Sequence, residues 1–226
     1  RIGVNAGSLE KEILKKYQSP TPKAICESAF YNVKLLEQFD FNDIVVSIKS
    51  SDVETTVLAN RMIAQMCDYP LHIGVTETGA NGIIKSSIGI GALLLDGIGD
   101  TLRVSLTAPP VYEVNAGYDI LRAAGIYKKG INFISCPTCG RTKVNVEKLL
   151  SEAQKRFIKE ETPLNIAIMG CAVNGPGEAK EADIAVCGGN GEGLIFAKGK
   201  IIKKVKEDMI LDELEEQIKI LKEQQE

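Results

Sequence analysis

Four of the six cysteines in this 226-residue chain lie in its second half, and thiols are well suited to redox and soft-metal chemistry. Cys136 and Cys139 form a C-x-x-C pair, and Cys171 follows 32 positions after Cys139. Cys187 is the fourth of these cysteines. Three kinds of site use thiols in such an arrangement: a thioredoxin-like dithiol, a structural zinc site and an iron–sulfur cluster.

These three alternatives differ in how many of the thiols they use. A dithiol would leave Cys171 and the Gly-Pro-Gly sequence at 175–177 without a role. A zinc site with Cys187 as fourth ligand would lack the usual tight second pair, because Cys171 and Cys187 are 16 positions apart. The single histidine, His72, lies in the other half of the chain. An iron–sulfur cluster accepts thiolates from separated loops, so the pattern favours it while the other two remain open.

Glu178, seven positions after Cys171, is a candidate oxygen ligand for the same site. On a straight helix this separation would be about 10 Å, too far for the two residues to share one metal centre easily. We expect the Gly-Pro-Gly sequence at 175–177 to prevent a helix and to turn the chain back toward Cys171. An iron bound by three sulfurs and one carboxylate releases its hard ligand readily to a substrate oxygen. The pattern therefore indicates a catalytic cluster rather than one that only carries electrons.

The remaining cysteines are predicted to be structural. Cys26 and Cys67 lie in apolar, helix-like segments, and Cys187 is expected to be a buried, inert thiol. A disulfide framework is disfavoured because the chain shows no secretory signal pattern.

A second group of polar residues follows the strands predicted in the first half of the chain. These short strands, rich in Val, Ile and Leu, are Ile2–Asn5, Ile44–Ile48, Leu71–Thr76 and Thr101–Leu106. Helices alternate with them, and helix start signals occur at Thr21-Pro22 and in the capping box Ser51–Glu54. This β/α alternation predicts a parallel sheet.

In a parallel sheet the carboxyl ends of the strands share one rim, which is where active sites form. The polar residues at or just after those ends are Asn5, Lys49, Glu77, Arg103 and Ser105. Glycines follow Glu77 and precede the fourth strand, and they let backbone N–H groups approach a phosphate. Two cationic side chains beside a carboxylate therefore predict a pocket for an anionic ligand that also contains an acid/base group.

Four β/α units form either an open flavodoxin-like sheet or the C-terminal half of a (β/α)8 barrel. The chain opens on Arg1, directly inside a strand, which favours the half-barrel and an N-terminal part that is missing here. The composition changes after Tyr127, so we predict a partial barrel over 1–127 and a smaller α+β domain over 128–226. The second domain is expected to have strands at Ile131–Ser135, Leu164–Met169, Ala182–Val186 and Leu194–Phe196, and helices at 144–157 and 211–224.

The composition is that of a globular chain with a substantial core, since 44% of the residues are hydrophobic and 25% are charged. The formal net charge is −3 and neither half is basic, which argues against nucleic-acid binding. No apolar run approaches the roughly 18 residues of a membrane span, so we expect a cytoplasmic protein without a membrane partner.

In these motifs the chain resembles the 4-hydroxy-3-methylbut-2-enyl diphosphate synthase family, iron–sulfur enzymes of the methylerythritol phosphate route to isoprenoids. The matching segments are 1–9, 47–52, 75–79, 103–107, 136–141 and 171–178, in order along the whole chain. The resemblance implies an eight-stranded β/α barrel joined to a 4Fe-4S domain similar to those of sulfite and nitrite reductases. It also implies two-electron reduction of 2-C-methyl-D-erythritol 2,4-cyclodiphosphate, with flavodoxin or ferredoxin as electron donor and a head-to-tail homodimer as the active form.

The resemblance further implies a role for each candidate residue. The 4Fe-4S cluster would be held by Cys136, Cys139, Cys171 and, through oxygen, Glu178. The substrate would be bound by Arg1, Asn5, Lys49, Arg103 and Ser105, with Asn174 beside the cluster. Glu77 would be the acid/base or cation-stabilising carboxylate, and Glu178 would be catalytic as well as a ligand. A zinc-stabilised α/β binding module without redox chemistry is the alternative function.

Overall fold

The computed structural model describes residues 1–76, 81–173 and 175–224. They form two compact units, Arg1–Tyr127 and Lys128–Glu226. Two of the predicted site residues, Glu77 and Asn174, lie outside the described residues.

The described residues of the first unit form four parallel strands: β1 (Ile2–Asn5), β2 (Val46–Lys49), β3 (His72–Ile73) and β4 (Thr101–Leu102). β1 pairs with β2 and β3 pairs with β4, and a parallel bridge between Val46 and Leu71 joins the two pairs. The strands therefore lie side by side in chain order, as in consecutive units of a β/α barrel. Within the described residues they form an open arrangement and not a closed barrel.

β3 and β4 are shorter than predicted. Apolar residues of the predicted strands that lie beyond them, Val75 and Val104, are nevertheless buried. The hydrophobic pattern thus identified segments that cross the core, but regular strand pairing ends after two residues in each.

The helices of this unit are α1 (Lys11–Tyr17), α2 (Pro22–Glu37), α3 (Val53–Ile63), α4 (Gly82–Leu95) and α5 (Pro110–Ala123). The predicted start of α2 is confirmed, because the Thr21 hydroxyl accepts a hydrogen bond from the Ala24 N–H at 3.2 Å. For α3 the prediction was wrong by one residue: Asp52, not Ser51, is the cap. Its carboxylate accepts from the Thr55 N–H at 2.7 Å.

The second unit is built on one five-stranded sheet in chain order: β5 (Ile131–Ser135), β6 (Leu164–Met169), β7 (Ile184–Gly189), β8 (Glu192–Ala197) and β9 (Lys200–Lys206). β5, β6 and β7 are parallel, whereas β8 and β9 are antiparallel to their neighbours. The helices are α6 (Val146–Arg156), α7 (Gly175–Glu181) and α8 (Ile210–Glu223). None of the helices that the structure describes has the length and hydrophobicity needed to cross a membrane.

α7 corrects the expectation that the Gly-Pro-Gly sequence prevents a helix. Pro176 is the second residue of α7, in the first turn, where helix N–H groups have no intrahelical partner and proline costs little. The change of direction occurs earlier, in the turn at residues 171–173. Glu178 therefore belongs to the first turn of a short helix.

Candidate functional site

The carboxyl ends of β1 and β2 place Asn5 and Lys49 directly opposite each other in the parallel register. The side-chain amide of Asn5 donates to the Thr76 hydroxyl at 2.9 Å, which brings the segment after β3 to the same rim. Gly74 lies between the two cationic positions: a Cβ there would be 2.7 Å from the Arg103 carbonyl oxygen and 3.2 Å from Lys49 Nζ. The structure thus brings Asn5, Lys49 and Arg103 together. This is the arrangement expected for residues at the carboxyl ends of parallel strands.

Lys49 is half-buried and is surrounded by other cations. Burial lowers the pKa of its ammonium group, and the charges of Arg103 and Arg1 lower it further, whereas Glu113 acts in the opposite direction. Arg1 and Arg103 are themselves exposed, and Ser105 is half-buried in the segment that follows β4. A multiply charged anion would relieve the repulsion among these cations, so this rim is suited to a diphosphate.

Glu113 is a rim residue that the sequence did not reveal. It lies in the first turn of α5, where its Oε2 is 3.6 Å from Nε of Arg103. Its Oε1 accepts a hydrogen bond from the Leu106 N–H at 2.8 Å. Glu113 therefore forms an ion pair with Arg103 while its other oxygen is fixed by the backbone. Its position four residues after Pro109 made it resemble an ordinary helix N-terminal acid.

His72 is a second residue that the sequence did not assign to this site. It is buried in β3 opposite Thr101, and its Nδ1 lies 2.9 Å from the Thr101 hydroxyl. Burial lowers the pKa of the imidazole to about 4, and the charges of Lys49, Arg1 and Arg103 contribute to the same shift. The ring is therefore neutral near pH 7 and close enough to sense the three cations. The only available signal was a polar residue within a buried strand.

In the second unit the thiols gather at the carboxyl ends of the parallel strands. Cys136 follows β5, and its sulfur accepts a hydrogen bond from the Gly170 N–H, just after β6, at 3.2 Å. Cys187 lies in β7 opposite Met169 and is buried, as predicted. Burial raises the pKa of the Cys187 thiol to about 11, and the charges of Cys171 and Cys136 add to the shift. Cys136, Cys171 and Cys187 are thus neighbours.

Cys139 and Glu178 are both exposed. Hydrogen bonds from the Arg141 backbone and then from its side chain lower the pKa of the Cys139 thiol, which favours the thiolate that a metal needs. Among the described residues, no three His, Cys, Asp or Glu side chains are close enough together to hold a metal ion.

The donor set fits an iron–sulfur cluster better than it fits a hard metal. Cys136 and Cys139 after β5 and Cys171 after β6 are soft ligands, and a backbone N–H donated to the Cys136 sulfur is the kind of hydrogen bond that tunes such clusters. The types of the ligand atoms match a cluster, but the side chains are not yet gathered around one point. Cys139 and Glu178 are on exposed segments.

Comparison with known proteins covers both units. Residues 1–118 match the family model described as GcpE TIM-barrel domain, and residues 132–220 match the GcpE protein C-terminal domain. A 4-hydroxy-3-methylbut-2-en-1-yl diphosphate synthase (flavodoxin) of Caldanaerobacter subterraneus subsp. tengcongensis is 58% identical over an alignment of 227 positions, which covers 99% of this chain and 64% of that protein. The protein of the same name from Clostridium acetobutylicum is 57% identical over 220 residues, 96% of this chain and 63% of its own length.

A third relative of that name, from Thermodesulfovibrio yellowstonii, is 54% identical over 221 residues, 97% of this chain and 63% of its own length. The chain therefore spans somewhat less than two thirds of the length of these relatives. The comparisons lend no support to a zinc-stabilised binding module without redox chemistry.

Proposed function

This chain belongs to the GcpE family, and from that premise we propose that it takes part in converting 2-C-methyl-D-erythritol 2,4-cyclodiphosphate to 4-hydroxy-3-methylbut-2-enyl diphosphate. The names of the relatives support this reaction. It consumes two electrons and two protons, opens the cyclic diphosphate and releases one water. The structural observation that carries the proposal is the group of cations around Lys49, which suits a diphosphate.

The rim of the first unit binds and orients the diphosphate. Lys49 and Arg103 supply positive charge from two strand ends, and Arg1 adds a third cation. Asn5 and Ser105 add neutral hydrogen-bonding groups on the same rim. Glu113 holds the Arg103 guanidinium in place before the ligand arrives, which reduces the cost of ordering it on binding.

Two further residues enter the proposal from the family resemblance. Glu77 is the acid/base or charge-stabilising carboxylate of the barrel, one position after Thr76, whose hydroxyl bonds to Asn5. Asn174 contacts the substrate beside the thiols, within the segment that links Cys171 to α7.

The second unit provides the ligands of a 4Fe-4S cluster: Cys136, Cys139, Cys171 and Glu178. When bound, the cluster supplies electrons to the substrate and a Lewis-acidic iron, as soft thiolate sites with one exchangeable position do. The three cysteines would bind the cluster through sulfur, and the Gly170 N–H donates a hydrogen bond to the Cys136 sulfur. The family resemblance implies that this unit is a cluster domain similar to those of sulfite and nitrite reductases. The names of the relatives support flavodoxin as electron donor, with ferredoxin as the other candidate.

A head-to-tail homodimer is the proposed active form, in which the cluster unit of one protomer closes over the barrel of the other. An exposed apolar surface supports contact with another protein: Ile84, Ile88, Leu95, Val111 and Tyr112 of α4 and α5 are each more than half exposed. Sedimentation velocity tests the assembly, because a dimer of the expected mass supports it and a monomer at all concentrations contradicts it.

The decisive experiment is purification and assay without oxygen. We expect a brown protein with about four iron atoms per chain that reduces the cyclodiphosphate when supplied with reduced flavodoxin. A colourless protein that contains stoichiometric zinc would contradict the proposed function.

A further inference from the structure

Cys187 is a buried thiol that the proposed chemistry does not use, yet it lies directly beneath the segment that carries Cys171 and Glu178. Its residue is 1% exposed, and it faces the start of α7. A Cβ built on Gly175, the first residue of α7, would clash with the Cys187 sulfur and would lie only 2.9 Å from the Cys187 Cβ. The side chain of Cys187 thus fills the space in which any residue other than glycine at 175 would place its Cβ.

This contact lies midway between two proposed cluster ligands. Gly175 follows Cys171 by four positions and precedes Glu178 by three. The remainder of α7 is held against the sheet by Ala179 and by Ala182 just beyond it, which are buried. Glu178 is on the first turn, so its distance from the thiols depends on where the start of α7 rests.

We propose that Cys187 is a positioning residue: its side chain packs against the Cα of Gly175 and sets the height of the first turn of α7, which places Glu178 relative to Cys171. The inference rests on the proposed cluster ligands and adds a role for a fourth cysteine that binds no iron. In a close-packed interior, a change in volume of one methyl group shifts the neighbouring residues. The contact between Cys187 and Gly175 therefore fixes the distance between β7 and the start of α7.

The test adds a methyl group at position 175 and then removes side-chain atoms at position 187, and it measures iron content. Gly175→Ala is expected to lower iron content at least threefold after anaerobic reconstitution, because its Cβ displaces the start of α7. The double variant Gly175→Ala/Cys187→Gly is expected to recover most of that loss, since removal of both the sulfur and the Cβ of residue 187 vacates the space. A double variant that holds no more iron than Gly175→Ala would overturn the proposal.

Gly193→Ala in β8 is the control for a clash elsewhere in the same unit. Its new Cβ would lie 2.9 Å from Ile210 Cδ1, a milder clash on the face of the sheet opposite to Cys187. We expect it to retain the iron content of the unmodified protein. The single variant Cys187→Gly should lose iron only in part, because it removes the side chain that supports the start of α7 but removes no ligand. Unchanged iron content in Cys187→Gly would overturn the positioning role, and complete loss would make Cys187 a ligand and would overturn it as well.

Hydrogen exchange on the cluster-free protein separates this inference from the proposed function. The Ala182 N–H bonds to the Glu178 carbonyl at 3.2 Å and reports on the integrity of α7. Its exchange should accelerate in Gly175→Ala and slow again in the double variant, whether or not iron is present. If that pattern holds in a protein that never binds iron, the packing is correct and the cluster assignment fails. Unchanged exchange in Gly175→Ala would overturn the packing itself.

Discussion

The side-chain amide of Asn5 donates a hydrogen bond of 2.9 Å to the hydroxyl of Thr76, 71 positions later in the chain. Asn5 also accepts a hydrogen bond from the Gly7 N–H at 3.0 Å, and it lies opposite Lys49 in the strand register. One side chain therefore ties the end of β1 to the segment after β3, across the end of β2. The rim is built before any ligand binds.

Asn5→Asp is expected to weaken binding of inorganic pyrophosphate at least tenfold, equivalent to about 1.4 kcal/mol. The carboxylate still accepts from Gly7 N–H and can accept from the Thr76 hydroxyl, so the fold is preserved, but it adds a negative charge beside Lys49. Calorimetric titration measures the affinity. Asn42→Asp, at an exposed position, is the control and should bind as the unmodified protein does. Equal affinities in the two variants would remove Asn5 from the anion site.

Lys49→Met should weaken pyrophosphate binding tenfold to a hundredfold while leaving the melting temperature unchanged or higher. The methionine keeps an unbranched apolar stem but removes a half-buried charge that Arg103 and Arg1 repel. Calorimetry and thermal unfolding, measured on the same samples, separate the two effects. Lys34→Met on α2, whose ammonium pairs with Glu37 at 2.7 Å, is the control for loss of a lysine elsewhere. A marked drop in melting temperature with intact binding would contradict the assigned role.

His72 is the chain's only histidine, so its imidazole gives a single set of proton resonances to titrate. We expect a pKa of about 4 in the folded protein, against an ordinary value of 6.5. Between these values the unfolded chain binds a proton that the folded chain refuses, so stability should fall as the pH falls from about 6.5 toward 4. In His72→Gln the melting temperature should depend less on pH between about 6.5 and 4 than it does in the unmodified protein.

Pyrophosphate provides the second half of that test. It neutralises the charges of Lys49, Arg1 and Arg103, which contribute to the low pKa of His72, so the imidazole pKa should rise when the anion is bound. An imidazole that titrates near 6.5 in the free protein, or a pKa unmoved by saturating pyrophosphate, would place His72 away from the anion.

Cys171→Ser should lose the iron, because a serine oxygen replaces a soft thiolate with a poor ligand for this cluster. Iron analysis after anaerobic reconstitution measures the effect. Cys67→Ser is the matched control: its thiol is in the first unit and donates to the Ile63 carbonyl at 3.7 Å. Full iron content in Cys171→Ser, or equal losses in both variants, would count against Cys171 as a ligand.

Local patterns predicted the strands that cross the cores of the two units. β1, β5 and β6 have the predicted bounds, because each is a short run rich in Ile or Val between turn residues. β9 was missed because it is an exposed edge strand in which lysines interrupt the apolar pattern. The sequence did carry a signal for the hairpin turn before β9, which is Gly199. Lys198 and Gly199 both have positive φ, of 48° and 75°, as a two-residue turn requires.

The site was predictable where chemistry follows strand ends and was missed where it depends on tertiary neighbours. Asn5, Lys49 and Arg103 follow from the parallel topology. Glu113 and His72 do not, because a helix N-terminal acid and a histidine within a strand acquire meaning only once Arg103 and Lys49 are beside them. The prediction for residues 175–177 is wrong because proline breaks a helix in its interior but not in its first turn.

Glu178→Gln separates cluster binding from turnover. The amide keeps the shape of the carboxylate on the first turn of α7 but removes its charge, so a cluster held by three thiolates should persist while turnover falls about a hundredfold or more. Iron content and the rate with reduced flavodoxin, measured on one preparation, give both quantities. Glu181→Gln, at the exposed end of the same helix, is the control and should retain both. Unchanged turnover in Glu178→Gln would leave the three cysteines as ligands and remove Glu178 from the reaction, so the fourth position would have to be filled by another group.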